Sequence, residues 1–68
     1  MADLKELLAT LKEAIEDEKQ AQKKYKKLKE QTDSQETAKL YEQLIADEKE
    51  HERLLRSRYE ALKESLDE

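Results

Sequence analysis

The sequence predicts an all-α fold, in which two long helices form one antiparallel hairpin. Charged residues make up 47% of the chain, and it contains no Gly, Pro, Cys, Trp or Phe. Strands and tight turns depend on several of these missing types, whereas helices do not. Apolar residues recur at helical spacing in two stretches, separated by a fully polar segment at residues 30–35. Residues 1–68 are therefore predicted to form a single domain, because a short connection makes consecutive helices antiparallel neighbours.

The first helix is predicted over residues 3–30. Asp3 is followed three positions later by Glu6, which is the spacing of a capping box at a helix start. Glu18 and Gln22 are polar residues on the otherwise apolar stripe of this helix. The apolar members of the stripe are Leu4, Leu7, Leu8, Leu11, Ala14, Ile15, Ala21, Tyr25 and Leu28.

The second helix is predicted over residues 34–66, after a connection at 31–34. Thr32, Asp33 and Ser34 are all suitable N-caps, and Asp33 has capping-box spacing with Glu36. Both helices repeat near 3.5 residues, which favours left-handed, coiled-coil-like packing. The stripe of the second helix contains Ala38, Tyr41, Leu44, Ile45, Glu48, His51, Leu55, Tyr59, Leu62 and Leu66.

Composition and charge exclude several classes of protein. The net charge of −4 disfavours nucleic acid or an anionic membrane as a partner. Six lysines within residues 19–29 are interpreted as a solvated helix face, since no aromatic residue other than Tyr25 lies among them. No apolar run reaches a transmembrane length and Met1 does not open a signal-peptide pattern, so a cytoplasmic protein is expected. Without Cys, neither a disulfide nor a thiolate metal site can form.

Three residues that could bind a metal are predicted to meet across the hairpin. Glu48 and His51 are three residues apart, so they share one face of the second helix. Folding the chain about residue 33 brings residue i level with residue 66 − i, and Glu18 then faces Glu48. Carboxylate oxygen and imidazole nitrogen are common ligands of transition metals. The sequence therefore predicts a metal site at this level of the hairpin.

One hairpin supplies too few ligands to enclose a metal, so the site predicts a homodimer or a higher oligomer. Two hairpins related by a two-fold axis would form a four-helix bundle with four Glu and two His residues. This is the ligand set of di-iron and di-manganese carboxylate bundles. Four carboxylates would also neutralise two divalent cations.

Three further residues are predicted to support the ligands. Asp47 lies four positions before His51 and could accept a hydrogen bond from the imidazole. Tyr25 and Tyr41 are predicted to lie on one side of the site at similar height, where their hydroxyls could steady a carboxylate.

The segments EKQAQKKY at residues 18–25 and DEKEH at residues 47–51 resemble the first two helices of rubrerythrins, in the ferritin-like superfamily. The resemblance covers about residues 4–62, which is half of a standard ferritin-like domain, and extends to the hairpin subunits of encapsulated ferritins. It implies that Glu18 is a terminal ligand, Glu48 a bridging ligand and His51 a nitrogen ligand. It also implies two Fe ions per dimer, with Mn as the alternative metal, and oxidation of Fe(II) by O₂ or H₂O₂.

The chain departs from the rubrerythrin pattern in two ways. It lacks the cysteines of a rubredoxin-type module, so electrons would come from an external donor. It also has Ala21 where rubrerythrins carry an additional Glu, which favours the plain four-Glu, two-His set. The functional hypothesis is a ferroxidase or a rubrerythrin-like oxidoreductase. The alternatives are a non-catalytic coiled-coil interaction hairpin and a metal-stabilised structural module.

Overall fold

The computed structural model describes residues 3–67. Helix α1 spans Leu4–Gln31, helix α2 spans Gln35–Asp67, and the two pack as an antiparallel hairpin. The predicted all-α class is confirmed for this part of the chain, and each predicted helix end lies one residue from the observed end. Residues 1, 2 and 68 of the predicted domain lie outside the described range. The hairpin measures 52 × 17 × 15 Å, and none of its described helices is long and apolar enough to cross a membrane.

The start of α1 is capped as the sequence predicts. The Asp3 side chain accepts a hydrogen bond of 3.0 Å from the backbone N–H of Lys5, and the Asp3 carbonyl accepts one from Leu7. Glu6 lies in the first turn, where a carboxylate stabilises the positive end of the helix dipole. The N-cap role of Asp3 is thereby confirmed.

The connection consists of Thr32, Asp33 and Ser34, and it reverses the chain without glycine. Thr32 ends α1 in an extended conformation and accepts a hydrogen bond from the Ser34 backbone N–H through its hydroxyl. Among the three candidate N-caps of α2, Ser34 takes the role, because its hydroxyl accepts from the Thr37 N–H at 3.2 Å. The capping-box spacing of Asp33 and Glu36 is thus not the one that starts the helix.

The interface between the helices is thin. Among the described residues only Ile15 is buried, with 8% of its surface exposed. Two helices in contact can shield one side of each stripe, and the remaining sides face outward. Several large apolar residues, four of them predicted stripe members, therefore stay more than a third exposed: Leu4, Leu7, Leu40, Leu44, Leu54 and Leu66. The predicted pairing of two such hairpins into a four-helix bundle stays a prediction.

Candidate metal centre

Glu18, Glu48 and His51 meet midway along the hairpin, as their positions predict. One ligand atom from each residue lies within 4.8 Å of the others. The imidazole Nδ1 of His51 is 3.8 Å from an oxygen of Glu18 and 3.8 Å from an oxygen of Glu48. Both carboxylate side chains are about four-fifths buried, whereas the His51 side chain is 56% exposed. The cluster is therefore walled by the two helices and open on the side where the imidazole lies.

The donor set of this cluster fits a divalent metal ion. Glu18 Oε2 is shielded from solvent and has no hydrogen-bond partner. A buried carboxylate oxygen without a donor is costly, since it has lost its water and gained nothing in return. A cation beside it would replace the missing partner, and the neighbouring carboxylate and imidazole are ligands for the same ion.

A second polar network, which the sequence pattern does not predict, joins the two helices beside the cluster. Gln22 Nε2 donates a 2.8 Å hydrogen bond to Glu52 Oε1 across the hairpin. Arg56 Nε donates a 2.7 Å hydrogen bond to Glu52 Oε2 from one turn further along α2. These two hydrogen bonds, first that of Arg56 and then that of Gln22, lower the pKa of the Glu52 carboxyl. We refer to these three residues as the Gln22–Glu52–Arg56 clamp.

The Gln22–Glu52 contact was not predicted, because the rule that residue i lies level with residue 66 − i ignores the direction in which side chains point. That rule places Gln22 opposite Leu44, two turns from its actual partner Glu52. Side chains lean toward the N-terminus of their own helix, and in an antiparallel pair these directions are opposed. Gln22 and Glu52 therefore lean toward each other and meet near the level of Glu18. The signal available in the sequence was their spacing, since each lies four residues after a predicted ligand.

The predicted supporting residues have different outcomes. The Tyr25 and Tyr41 rings stack with their centroids 6.4 Å apart, so the prediction that they lie at similar height is confirmed. Whether their hydroxyls steady a carboxylate stays a prediction. Asp47 is exposed, and no hydrogen bond or ion pair among the described residues joins it to His51. Its role toward the imidazole also stays a prediction.

Two further ion pairs do not include a residue of the cluster. Lys29 Nζ is 2.7 Å from a carboxylate oxygen of Glu42, which links the helices near the connection and lowers the pKa of Glu42. Arg53 Nε donates to Glu50 at 3.0 Å within α2, which lowers the pKa of Glu50 and raises that of Arg53. Both pairs are exposed, so they contribute little to stability.

Comparison with known proteins gives one family. The family model described as Rubrerythrin matches residues 9–68, a range that contains all three clustered ligand candidates. Neither the curated proteins nor the solved structures gave a match to the chain.

Proposed function

The chain belongs to the rubrerythrin family, and on that premise we propose that it is a ferritin-like di-iron protein whose metal centre forms between two copies of the hairpin. The observation that carries the proposal is the convergence of Glu18, Glu48 and His51 around a buried carboxylate oxygen that has no partner. When bound, two iron ions would supply redox chemistry, the oxidation of Fe(II) by O₂ or H₂O₂.

The residues of the chain have distinct tasks in this proposal. Glu18 would hold one ion as a terminal ligand, Glu48 would bridge the two ions, and His51 would add a nitrogen through Nδ1, the atom that faces both carboxylates. Two chains would bring four carboxylates, whose charge balances two divalent cations. The helices shield Glu18 and Glu48 from water, which strengthens their attraction for a cation. An external electron donor would support any repeated cycle.

The distribution of exposed apolar residues supports the pairing of two hairpins. Leu44 and Leu40 lie about two and three helical turns before His51, and Leu54 lies one turn after it, so they border the imidazole on α2. Leu40 is 60% exposed, and the other two leucines are 38–41% exposed. A second hairpin laid on this side would cover the leucines and close the open side of the cluster.

The opposite side of the hairpin is suited to remain in water. A groove there contains Ile45 and Ala46, and the lysines that line it are Lys19, Lys23, Lys26, Lys29 and Lys49. Two such grooves facing each other would bring like charges together, which disfavours association on that side. The charge distribution therefore supports pairing on the His51 side.

An anaerobic Fe(II) titration tests the proposal. The wild type should saturate near one iron per chain and develop ferric absorbance when O₂ or H₂O₂ is added. Glu18→Ala and His51→Ala should abolish this saturation, whereas Glu13→Ala, at an exposed position on α1, should leave it unchanged. The absence of stoichiometric binding by the wild type, or equal binding by the site variants, would refute the proposal.

A metal-stabilised structural module is the second candidate, and the burial of Ile15 alone among the described residues favours it. A chain with so small a core gains stability from any ion that binds only the folded form. This candidate predicts that Zn²⁺, which has no redox chemistry, raises the melting temperature. It also predicts that the iron-loaded protein shows no turnover with O₂ or H₂O₂.

A further inference from the structure

Glu18 and Glu52 are buried to the same degree but are partnered in opposite ways. Their side chains are 20% and 19% exposed. In Glu52 both oxygens accept hydrogen bonds, one from Gln22 and one from Arg56. In Glu18 the buried Oε2 accepts none. Glu18 thus has a buried oxygen that is free to bind a cation, whereas both oxygens of the equally buried Glu52 already accept hydrogen bonds.

The clamp lies at the level of the metal cluster but on its other flank. Glu52 directly follows His51, so their side chains diverge by about 100° around α2. The Glu18 and Glu48 carboxylates consequently lie between the imidazole on one flank and the clamp on the other. In each helix the clamp residue is four positions, about one turn, after the carboxylate.

Among the described residues, the other directional contacts between the helices, the Lys29–Glu42 pair and the Tyr25–Tyr41 stack, lie nearer the connection. Leucine and alanine contacts are compatible with several registers, because apolar packing is not directional. A hydrogen bond to a charged acceptor is directional and stronger than one between neutral groups. Turning α1 by one residue position would rotate Glu18 by about 100° and take it away from Glu48. The hydrogen bond from Gln22 to Glu52 opposes that rotation at the level of the metal cluster.

We propose that Gln22 is a positioning residue for the metal centre: through Glu52 it holds α1 in the register at which Glu18 meets Glu48 and His51, and the clamp keeps Glu52 out of the ligand set. This inference rests on the proposed function, since alignment of the three ligands matters only if they bind a metal. It extends that function to a residue that is not itself proposed as a ligand.

The test compares Gln22→Ala with Gln20→Ala. Both changes remove a glutamine from α1. Gln20, however, donates to Glu16 within its own helix, and it makes no hydrogen bond to the described residues of α2. Anaerobic Co²⁺ titration followed by visible absorption reports affinity and coordination without any turnover. Gln22→Ala should weaken Co²⁺ binding roughly tenfold, the lower end of the effect of residues that orient metal ligands. Gln20→Ala should match the wild type, at equal helical content by circular dichroism.

Two further variants separate positioning from ligation and from stability. Glu52→Gln keeps a carbonyl acceptor for Gln22 and should weaken Co²⁺ binding less than Gln22→Ala does, whereas Glu48→Gln should abolish binding. Gln22→Asn keeps the amide but shortens it, and it should reproduce the loss seen in Gln22→Ala. Gln20→Asn is the matched control for that change.

The outcomes distinguish this inference from the proposed function. A wild type that does not bind Co²⁺ contradicts both. A wild type that binds, with Gln22→Ala and Gln20→Ala giving equal affinity, contradicts the clamp alone. Loss of binding in Glu52→Gln as severe as in Glu48→Gln would make Glu52 a ligand and overturn the positioning role. A lower melting temperature of metal-free Gln22→Ala with unchanged Co²⁺ affinity would reduce the clamp to a stabilising contact.

Discussion

At the scale of single residues, the candidate site is marked by a carboxylate that the fold leaves unsatisfied. Glu18 Oε2 is buried without a hydrogen-bond donor, and the cluster around it brings two carboxylates together. Such a site destabilises the metal-free fold, because the two carboxylates repel each other and are partly removed from water. The same arrangement favours a cation when one is present. Stability without metal and affinity for metal should therefore respond in opposite directions to the same change.

Glu18→Gln tests this opposition. Removing the charge should raise the free energy of unfolding of the metal-free protein by about 1 kcal/mol, since it removes the repulsion with Glu48. The same variant should lose metal binding. Urea unfolding of the metal-free protein measures the first effect, and Co²⁺ titration measures the second. Glu13→Gln, which is exposed, should change neither. A metal-free Glu18→Gln protein that is less stable than the wild type would contradict the account.

The Lys29–Glu42 pair gives a prediction about pH. Lys29 lowers the pKa of Glu42 below its ordinary value, chiefly through its hydrogen bond. A carboxyl whose pKa is lowered by folding stabilises the folded state above its unfolded pKa, and this contribution disappears as the pH falls through the folded pKa. Glu42→Gln should therefore lower the melting temperature slightly at about pH 7 and not at about pH 3. Thermal melts beside Glu36→Gln check this, and a difference that persists in acid would refute it.

At the scale of the helices, local sequence signals determine most of what the structure shows. Apolar periodicity and N-cap chemistry place both helices to within one residue at each end, because these signals depend on neighbours in the chain. The level of Glu18 with Glu48 follows from the position of the turn. The Gln22–Glu52 hydrogen bond cannot be inferred from the turn, because it depends on the directions in which the side chains of the two helices point. Nor could the choice of Ser34 over Asp33 be made from the sequence, since both are good N-caps.

Ser34→Ala tests the assigned cap of α2. The change removes the acceptor for the Thr37 N–H and should cost about 1 kcal/mol of stability. Asp33→Ala should cost less, because the Asp33 side chain does not cap the helix in this structure. Urea unfolding of the two variants measures the difference. A larger loss in Asp33→Ala would mean that α2 begins one residue earlier.

At the scale of the whole molecule, three features of the hairpin favour pairing with a second copy. It has a single buried residue among those described, a row of exposed leucines beside His51, and a lysine-lined groove on the other side. A chain of 68 residues is short for an independent core, and pairing is a common remedy. Because His51 lies on the leucine side, the proposal predicts that assembly and metal binding stabilise each other.

Leu40→Glu tests which side of the hairpin contacts a second copy in the proposed dimer. Leu40 is 60% exposed, so the change should leave the isolated hairpin folded. It should dissociate the dimer, because a carboxylate would be buried against the second copy. Lys39→Glu changes the neighbouring exposed residue, which points about 100° away around the helix, and should leave the dimer intact. Sedimentation velocity compares the two. Equal dissociation constants would contradict pairing through the leucine side.

Native mass spectrometry of the Co²⁺-loaded protein counts chains and ions in the same particle, so it tests whether the metal centre forms between two hairpins. We expect a dimer that carries two ions, with loss of the ions in Glu18→Ala and His51→Ala. A monomer that holds its ion as tightly as the dimer does, or a dimer that binds no ion, would contradict a metal centre formed between two hairpins.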